Sequence, residues 1–241
     1  MFHSVYIGDK NTWDDYGLVP VNKIYFPMAS QKTQTATIEG ASGSLDLSTY
    51  MTGYPIYDNI RGSMEFYLLD TFDAEANGQG YAYPKNYNFY DIFAKIRADL
   101  DGKTFQVWLE DDPDWYYEGR INVTTKMGSP RPGVTLSYDF GPYKKARRSQ
   151  KYVLNGMAPI INRQIIPASV AGSMPATFTF TVTGGPADIS FECDSLNIDE
   201  SGTFQPGTYT QYDWIIYGES SIMVDAATGV SVAINYTPGR L

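Results

Sequence analysis

Along most of this chain, apolar residues alternate with polar ones or cluster between turn signals, and they keep helical spacing over one firm stretch, Phe89, Ile92, Phe93, Ile96 and Leu100. That contrast limits the fold more than any other feature, because a period of two makes half-buried strands and a period near 3.6 makes one helix face. Val19 to Phe26 and Gln34 to Glu39 hold strand formers between turns, and Gly62 to Leu69 sets Met64, Phe66 and Leu68 on one strand face. Asn88 can cap the helix and Gly102 ends it, while Asp99 and Asp101 sit at its negative end, so packing of the apolar stripe must hold it. Phe105, Val107 and Leu109 then alternate with Gln106, Trp108 and Glu110, and past Asp111-Asp112-Pro113-Asp114 the segment Tyr117 to Thr125 returns as the second strand of a hairpin. Val134, Leu136, Tyr138 and Phe140 make a closing strand that Gly141-Pro142 stops.

Five of the eight residues from Lys144 to Lys151 are basic, against 11 basic and 19 acidic residues before them and 2 and 8 after them. The expected organisation is a first domain over 1–143, a basic linker over 144–151 and a second, smaller β-sandwich over 152–241. In that second domain Phe178, Phe180 and Val182 alternate with threonines, and Val230, Val232, Ile234 and Tyr236 alternate with small or polar residues. Ile189 to Glu192, Tyr209 to Tyr217 and Ser221 to Val224 add strands. The segment from Thr71 to Asn88, polar with Tyr81, Tyr83 and Tyr87, reads as an exposed loop suited to an interface arm. Aromatic residues at 15%, with 20 Tyr, 22 Gly and 14 Pro, fit short strands joined by turns. The expected fold class is mainly β: an N-terminal β-sandwich with one α-helix and a β-hairpin, then the second sandwich.

Catalytic chemistry finds little support. The single cysteine, Cys193, cannot form an intramolecular disulfide, and the single histidine, His3, leaves no imidazole pair for a metal and no Ser/His/Asp triad. Glu110, Asp111, Asp112, Asp114 and Glu118 are the most enzyme-like cluster, since glycosidases and divalent cations need several carboxylates. Neighbouring strand residues face opposite ways, however, and Asp-Asp-Pro-Asp is a turn sequence, so a plain turn is preferred over cation binding or catalysis. Gly40-Ala41-Ser42-Gly43 lacks the Lys-Ser/Thr helix start of a phosphate loop. We expect no enzyme activity, no cofactor and no bound metal. A net charge of -9 argues against general affinity for nucleic acid. No apolar run of membrane-spanning length and no basic leader is visible, so the product is expected to stay soluble where it is made.

Six segments together resemble the N-terminal domain of phage distal tail proteins. They are Trp13-Asp14-Asp15-Tyr16-Gly17-Leu18; Ile38-Glu39-Gly40 with Gly43-Ser44-Leu45-Asp46-Leu47; Tyr57-Asp58-Asn59-Ile60-Arg61; Leu100-Asp101-Gly102-Lys103; Asp112-Pro113-Asp114-Trp115-Tyr116-Tyr117-Glu118-Gly119-Arg120; and Asp139-Phe140-Gly141-Pro142-Tyr143-Lys144. Many members place Arg directly after the Asn of the third segment, and here Ile60 intervenes before Arg61. The resemblance implies a domain related to tail tube proteins, six copies of which close into a ring, a homohexamer that extends the tube's channel. It further implies a galectin-like second domain facing outward. The partners implied are the tail tube protein and the tail tip or baseplate hub and receptor-binding proteins. DNA would pass through without specific binding, no membrane is involved, and the location is the tail tip of a virion made in a bacterial host's cytoplasm.

Head-to-tail contacts of one subunit type close rings by rotation. The residues expected at such an interface are Trp115, Tyr116, Tyr117, Arg120 and Arg61, with the Thr104 to Thr125 hairpin bridging to a neighbour. The main alternative is a carbohydrate-binding module in which exposed tyrosines and Trp214 stack on host surface glycans. Trp214 followed by Ile215, Ile216 and Tyr217 invites comparison with galectins, whose sugar site also needs a histidine that this domain lacks. A tail tube subunit, which would polymerise into filaments, is the nearest alternative within the structural class.

Overall fold

The computed structural model of the chain describes residues 4–37, 39, 42–50, 52–68, 89–126 and 132–241. The expectations for His3, for the turn residues Gly40 and Ala41, and for the loop from Thr71 to the capping residue Asn88 lie outside those residues. In chain order the strands are β1 (Val5–Ile7), β2 (Lys10–Asn11), β3 (Leu18–Pro20), β4 (Thr35–Thr37), β5 (Ser44–Asp46), β6 (Ile60–Leu68), β7 (Lys103–Leu109), β8 (Trp115–Lys126), β9 (Gly133–Phe140), β10 (Lys144–Ala146), β11 (Gln150–Asn155), β12 (Asn162–Ile166), β13 (Ala176–Thr183), β14 (Ala187–Cys193), β15 (Ile198–Phe204), β16 (Gly207–Ile216), β17 (Ser220–Ala226), β18 (Ser231–Tyr236) and β19 (Gly239–Arg240). Helix α1 (Phe89–Leu100) precedes β7, and one helical turn, α2 (Ala168–Ala171), follows β12. The protein is mainly β, as the alternating pattern requires.

The chain divides into two compact units, one built from Met1–Ser30 with Asp58–Pro142 and the other from Gln31–Tyr57 with Tyr143–Leu241. Residues 31–57, expected in the first domain, therefore belong with the second. The amide of Asp58 donates to the Ser30 carbonyl at 2.9 Å, and Lys32 donates to Ile56 at 2.8 Å, so the excursion leaves and returns at one place. Residues 144–151 are not a free linker either: β10 pairs with β19, and β11 begins at Gln150. Charge alone read as a solvated segment, but Lys144 to Ala146 has an edge partner in β19, whose pairing no local pattern reveals.

In the first unit the strands run β2-β1-β7-β8-β9-β6-β3, all antiparallel. Met64, Leu136 and Val123 share one row of its inner face, and Phe66 and Val134 lie in the next. Phe93, Ile96 and Leu100 of α1 join the same buried cluster. Val19 to Phe26 is not one strand. It leaves the sheet after Pro20, a residue that cannot donate to a ladder, and Ile24, Phe26 and Ala29 lie against the core. Phe26 meets Tyr117, Tyr138 and Phe140 edge-on, with ring centroids 5.1 to 5.3 Å apart. Gly119 lies opposite Phe140, and a Cβ there would stand 2.1 Å from the Asp139 carbonyl, so only glycine permits this approach of β8 to β9.

The second unit is a sandwich of two four-stranded sheets, ordered β11-β18-β13-β16 and β12-β17-β14-β15. Phe178, Phe180, Phe191 and Trp214 fill its centre, all buried. Cys193 is fully buried, and its thiol donates to the Tyr217 carbonyl at 3.1 Å. The separate β4–β5 ladder carries Thr, Ser and Asp at exposed positions. No helix among the described residues is long and apolar enough to cross a membrane.

Candidate interface on the outer sheet face

The aromatic-acidic turn of the first unit is a dock for helix α1. The Asn11 carboxamide oxygen accepts the amides of Trp13 and Asp14 at 2.8 and 3.1 Å, and the Asp15 carboxylate accepts the Asn11 amide at 2.7 Å. Gly17 takes a positive φ of 64°, which lets its amide reach the Trp13 carbonyl and turns the buried Tyr16 ring inward. The Tyr16 hydroxyl donates to Asp99 at 3.0 Å, and Lys95 lies 5.5 Å above the ring. Burial first, then the Asp99 hydrogen bond, holds the Tyr16 hydroxyl well above the usual tyrosine range. The aspartates at the helix end thus have structural work. Asp99 anchors Tyr16, Asp101 accepts the Val123 amide at 2.8 Å, and Lys103 caps the carbonyls of Ala98 and Asp99.

Strand parity divides the residues expected at the interface. Tyr117 is 8% exposed and lies on the inner face with Ile121 and Val123, where Phe140 stacks on it. It is a core residue of the unit, because β8 alternates and Tyr117 shares parity with the buried set. Trp115 and Tyr116 are half-buried at the start of β8.

Arg61 and Arg120 are brought together. Arg120 faces Asp139 across β8 and β9, and Asp139 faces Arg61 across β9 and β6, so one outer-face row reads Arg120–Asp139–Arg61. The Arg61 Nε donates to Asp139 at 2.8 Å, and Asn59 Nδ2 donates to its other oxygen at 2.8 Å. These bonds, Asn59's first, hold the Asp139 carboxyl below its ordinary value. The Ile60 insertion therefore leaves Arg61 on the solvent face, 76% exposed in its side chain and paired within its own sheet. At the β1–β7 side Tyr6 stacks on Trp108 at 5.2 Å and 3°, and Lys126 pairs with Glu65 at 2.8 Å. Asn59, Asp139 and the Tyr6–Trp108 stack were missed in the sequence. The only signal is that Asn59 and Asp139 lie within segments that resemble distal tail proteins, since the contact that joins them is tertiary.

The acidic hairpin closes as a turn, Asp112 donating to Leu109 and Trp115 to Asp112 through backbone at 3.0 and 3.3 Å. The Glu110 carboxylate holds the Ser4 amide at 2.9 Å. Among the described residues no group of three or more His, Cys, Asp or Glu side chains is placed to hold a metal ion. In the second unit Trp214, 6% exposed, packs among Phe178, Phe180, Phe191 and Phe204 with centroids 5.8 to 6.0 Å away. It offers no face for a sugar ring. A cleft of the same unit, bordered by Arg163, Glu192 and Ser221, has a volume of about 30 Å³, room for one water. What the outer face of the first unit can do is dock: it presents hydroxyls, paired charges and an aromatic stack on a rigid sheet.

No protein-family profile matches the sequence, and no curated protein is significantly similar to it. Among solved structures the chain is similar to the Dit protein (gp 19.1) of phage SPP1, described as a paradigm of the hub adsorption apparatus of phages that infect Gram-positive bacteria. The match covers 100% of both chains at 10% sequence identity with a TM-score of 0.60. At that identity the likeness establishes the architecture: from end to end, this chain has the fold of a distal tail (Dit) hub protein.

Proposed function

We propose that the protein is a structural component of a phage tail, a hub at the tail's distal end that links the tail tube to the baseplate or tip. The full-length likeness to a hub protein carries the proposal, because it spans both units rather than one widespread sandwich. In this proposal six copies close into a ring through head-to-tail contacts, and the ring continues the DNA channel. The outer sheet face of the first unit, with Tyr116, Arg120 and Arg61, together with the half-buried Trp115 at the start of β8, is the docking surface for a neighbouring copy or tube subunit. The net charge of -9 suits a channel that must not hold DNA. The protein acts by binding, not by catalysis, and its partners are other copies of itself, the tube protein and receptor-binding proteins.

Mass photometry and negative-stain images of the purified protein at micromolar concentration test the proposal. Closed rings with a central hole are the expected result. A persistent monomer that binds on a glycan array would replace it with the carbohydrate-binding alternative, and open filaments would replace it with a tube subunit.

A further inference from the structure

The second unit is electrically lopsided along its own strand order. β11 and β12 are the first strands of its two sheets, and β16 and β15 are the last. Among the described residues each of the four pairs with one neighbour only, which leaves the sandwich two lateral edges without a strand partner there.

The β11–β12 edge is basic and aliphatic. Lys151 lies on β11 and Arg148 just before it, both exposed and without an ion-pair partner among the described residues. Val153 on β11, Ile165 on β12, and Met157, Ile160 and Ile161 in the connection between these two strands are 45 to 62% exposed. Scattered exposed apolar residues are ordinary, but five on one pair of edge strands and the connection between them mark a contact surface. The β15–β16 edge is acidic. Asp199 and Glu200 on β15 and Asp213 on β16 are exposed, and none has an ion-pair partner among the described residues. The register of β13 against β16 breaks between Thr177 and Thr179, and at that irregularity Tyr212 stands 77% exposed beside Asp213.

From these two edges we infer that the second unit binds a second copy of itself, the basic aliphatic edge β11–β12 of one protomer seating on the acidic edge β15–β16 of the next. The occupant is fixed by charge. The uncommitted cations of one edge meet the uncommitted carboxylates of the other, and Tyr212 supplies an aromatic surface for the exposed isoleucines. A back-to-back pairing of two β11–β12 edges would set Lys151 and Arg148 against their own copies, which like-charge repulsion opposes. A head-to-tail contact joins different surfaces and repeats around a closed ring or along an open fibre. That it closes here rests on the ring proposed above; the contact itself does not.

The test is zero-length carbodiimide coupling, which joins a lysine amine to a carboxylate only where the two touch, in a one-to-one mixture of unlabelled and ¹⁵N-labelled full-length protein. Mixed-isotope peptides linking Lys151 to Asp199, Glu200 or Asp213 are expected. In mass photometry the Arg148→Glu, Lys151→Glu variant should lose association by about tenfold or more, and adding Asp199→Lys and Glu200→Lys should restore it. Restoration by the reversed charges excludes misfolding as the cause. Rings in micrographs with no mixed-isotope link at Lys151 would overturn the edge contact and leave the ring proposal standing. Mixed-isotope links with open filaments would support the contact and remove the closed ring. Unchanged association of the charge-reversed variant would overturn the contact outright.

Discussion

Replacing Trp214 by alanine separates a core residue from a sugar platform. A tryptophan side chain carries about 200 Å² of surface, and Trp214 is 6% exposed. At about 25 cal/mol per Å² its burial is worth about 5 kcal/mol, an upper figure because unfolded chains are partly collapsed. Large-to-small aromatic substitutions in cores cost about 3–5 kcal/mol, in line with that area. The hole would open between Phe178, Phe180, Phe191 and Phe204, rings held from both sheets, so little collapse can refill it. The transition of the second unit in scanning calorimetry should fall by on the order of 10 °C, and Trp214→Phe should recover roughly half of the loss. Iodide should fail to quench Trp214 in a variant whose other three tryptophans are phenylalanine. A Trp214→Ala protein that melted like the wild type yet lost binding to a glycan would refute the reasoning and place the indole at the surface.

In the first unit, Gly119→Ala should cost about 3 kcal/mol or more, since its Cβ meets Asp139 and Phe140 backbone, and denaturant titration reads this directly; a neutral result would mean β8 and β9 can part freely. Tyr16→Phe should cost about 1–2 kcal/mol through the lost bond to Asp99, and Asp99→Asn should cost less because the amide still accepts; equal stability of all three proteins would count against the dock. The Asp139 carboxyl, depressed by Asn59 and Arg61, adds stability above its unfolded value that disappears as pH falls through the folded one. Asn59→Ala should therefore raise its titration in carboxyl NMR and flatten the acid limb of stability, and an unmoved titration would contradict the assigned bonds. A Trp115→Ala, Tyr116→Ala variant should fold normally and assemble poorly, whereas Tyr117→Ala should lower stability first; normal rings from the former would remove Trp115 and Tyr116 from the interface.

Much of this architecture was legible because parity and period are local. Ala176 to Thr183 forms β13 with its alternation intact, and Phe93, Ile96 and Leu100 bury as their spacing requires. Legibility failed where partners decide. Tyr117 was readable as an interface aromatic only until strand parity joined it to Ile121. Arg61 and Arg120 stand 59 positions apart in sequence, and only the three-strand register sets both against Asp139. The basic run from Lys144 reads as a linker because charge marks solvent contact and says nothing of the edge pairing of β10 with β19.

Residues 31–57 pose the sharpest physical question, since they leave the first unit yet belong to the second. The sandwich core runs from Leu154 to Tyr236 and includes none of them, so a fragment over 143–241 holds all of its own buried cluster. What the excursion contributes is a group of tyrosines. Tyr57 meets Tyr143 at 5.8 Å, and Tyr54 meets Tyr217 at 5.6 Å. Burial, and then the neighbouring tyrosine hydroxyls of Tyr57, Tyr217 and Tyr54, push the Tyr143 hydroxyl up to about 12. A tyrosine whose folded value is raised stabilises the fold fully below its unfolded value of 10.0 and loses that contribution as pH climbs through the folded value. In the full chain, ultraviolet titration should therefore find Tyr143 ionising with alkaline unfolding. In the 143–241 fragment, which lacks Tyr54 and Tyr57, the same hydroxyl should ionise closer to the ordinary tyrosine range while the sandwich keeps its near-ultraviolet circular dichroism. A fragment that fails to fold would show that the excursion builds the second unit rather than covering it. A folded fragment with Tyr143 still near the full-length value would show that the sandwich alone buries this hydroxyl.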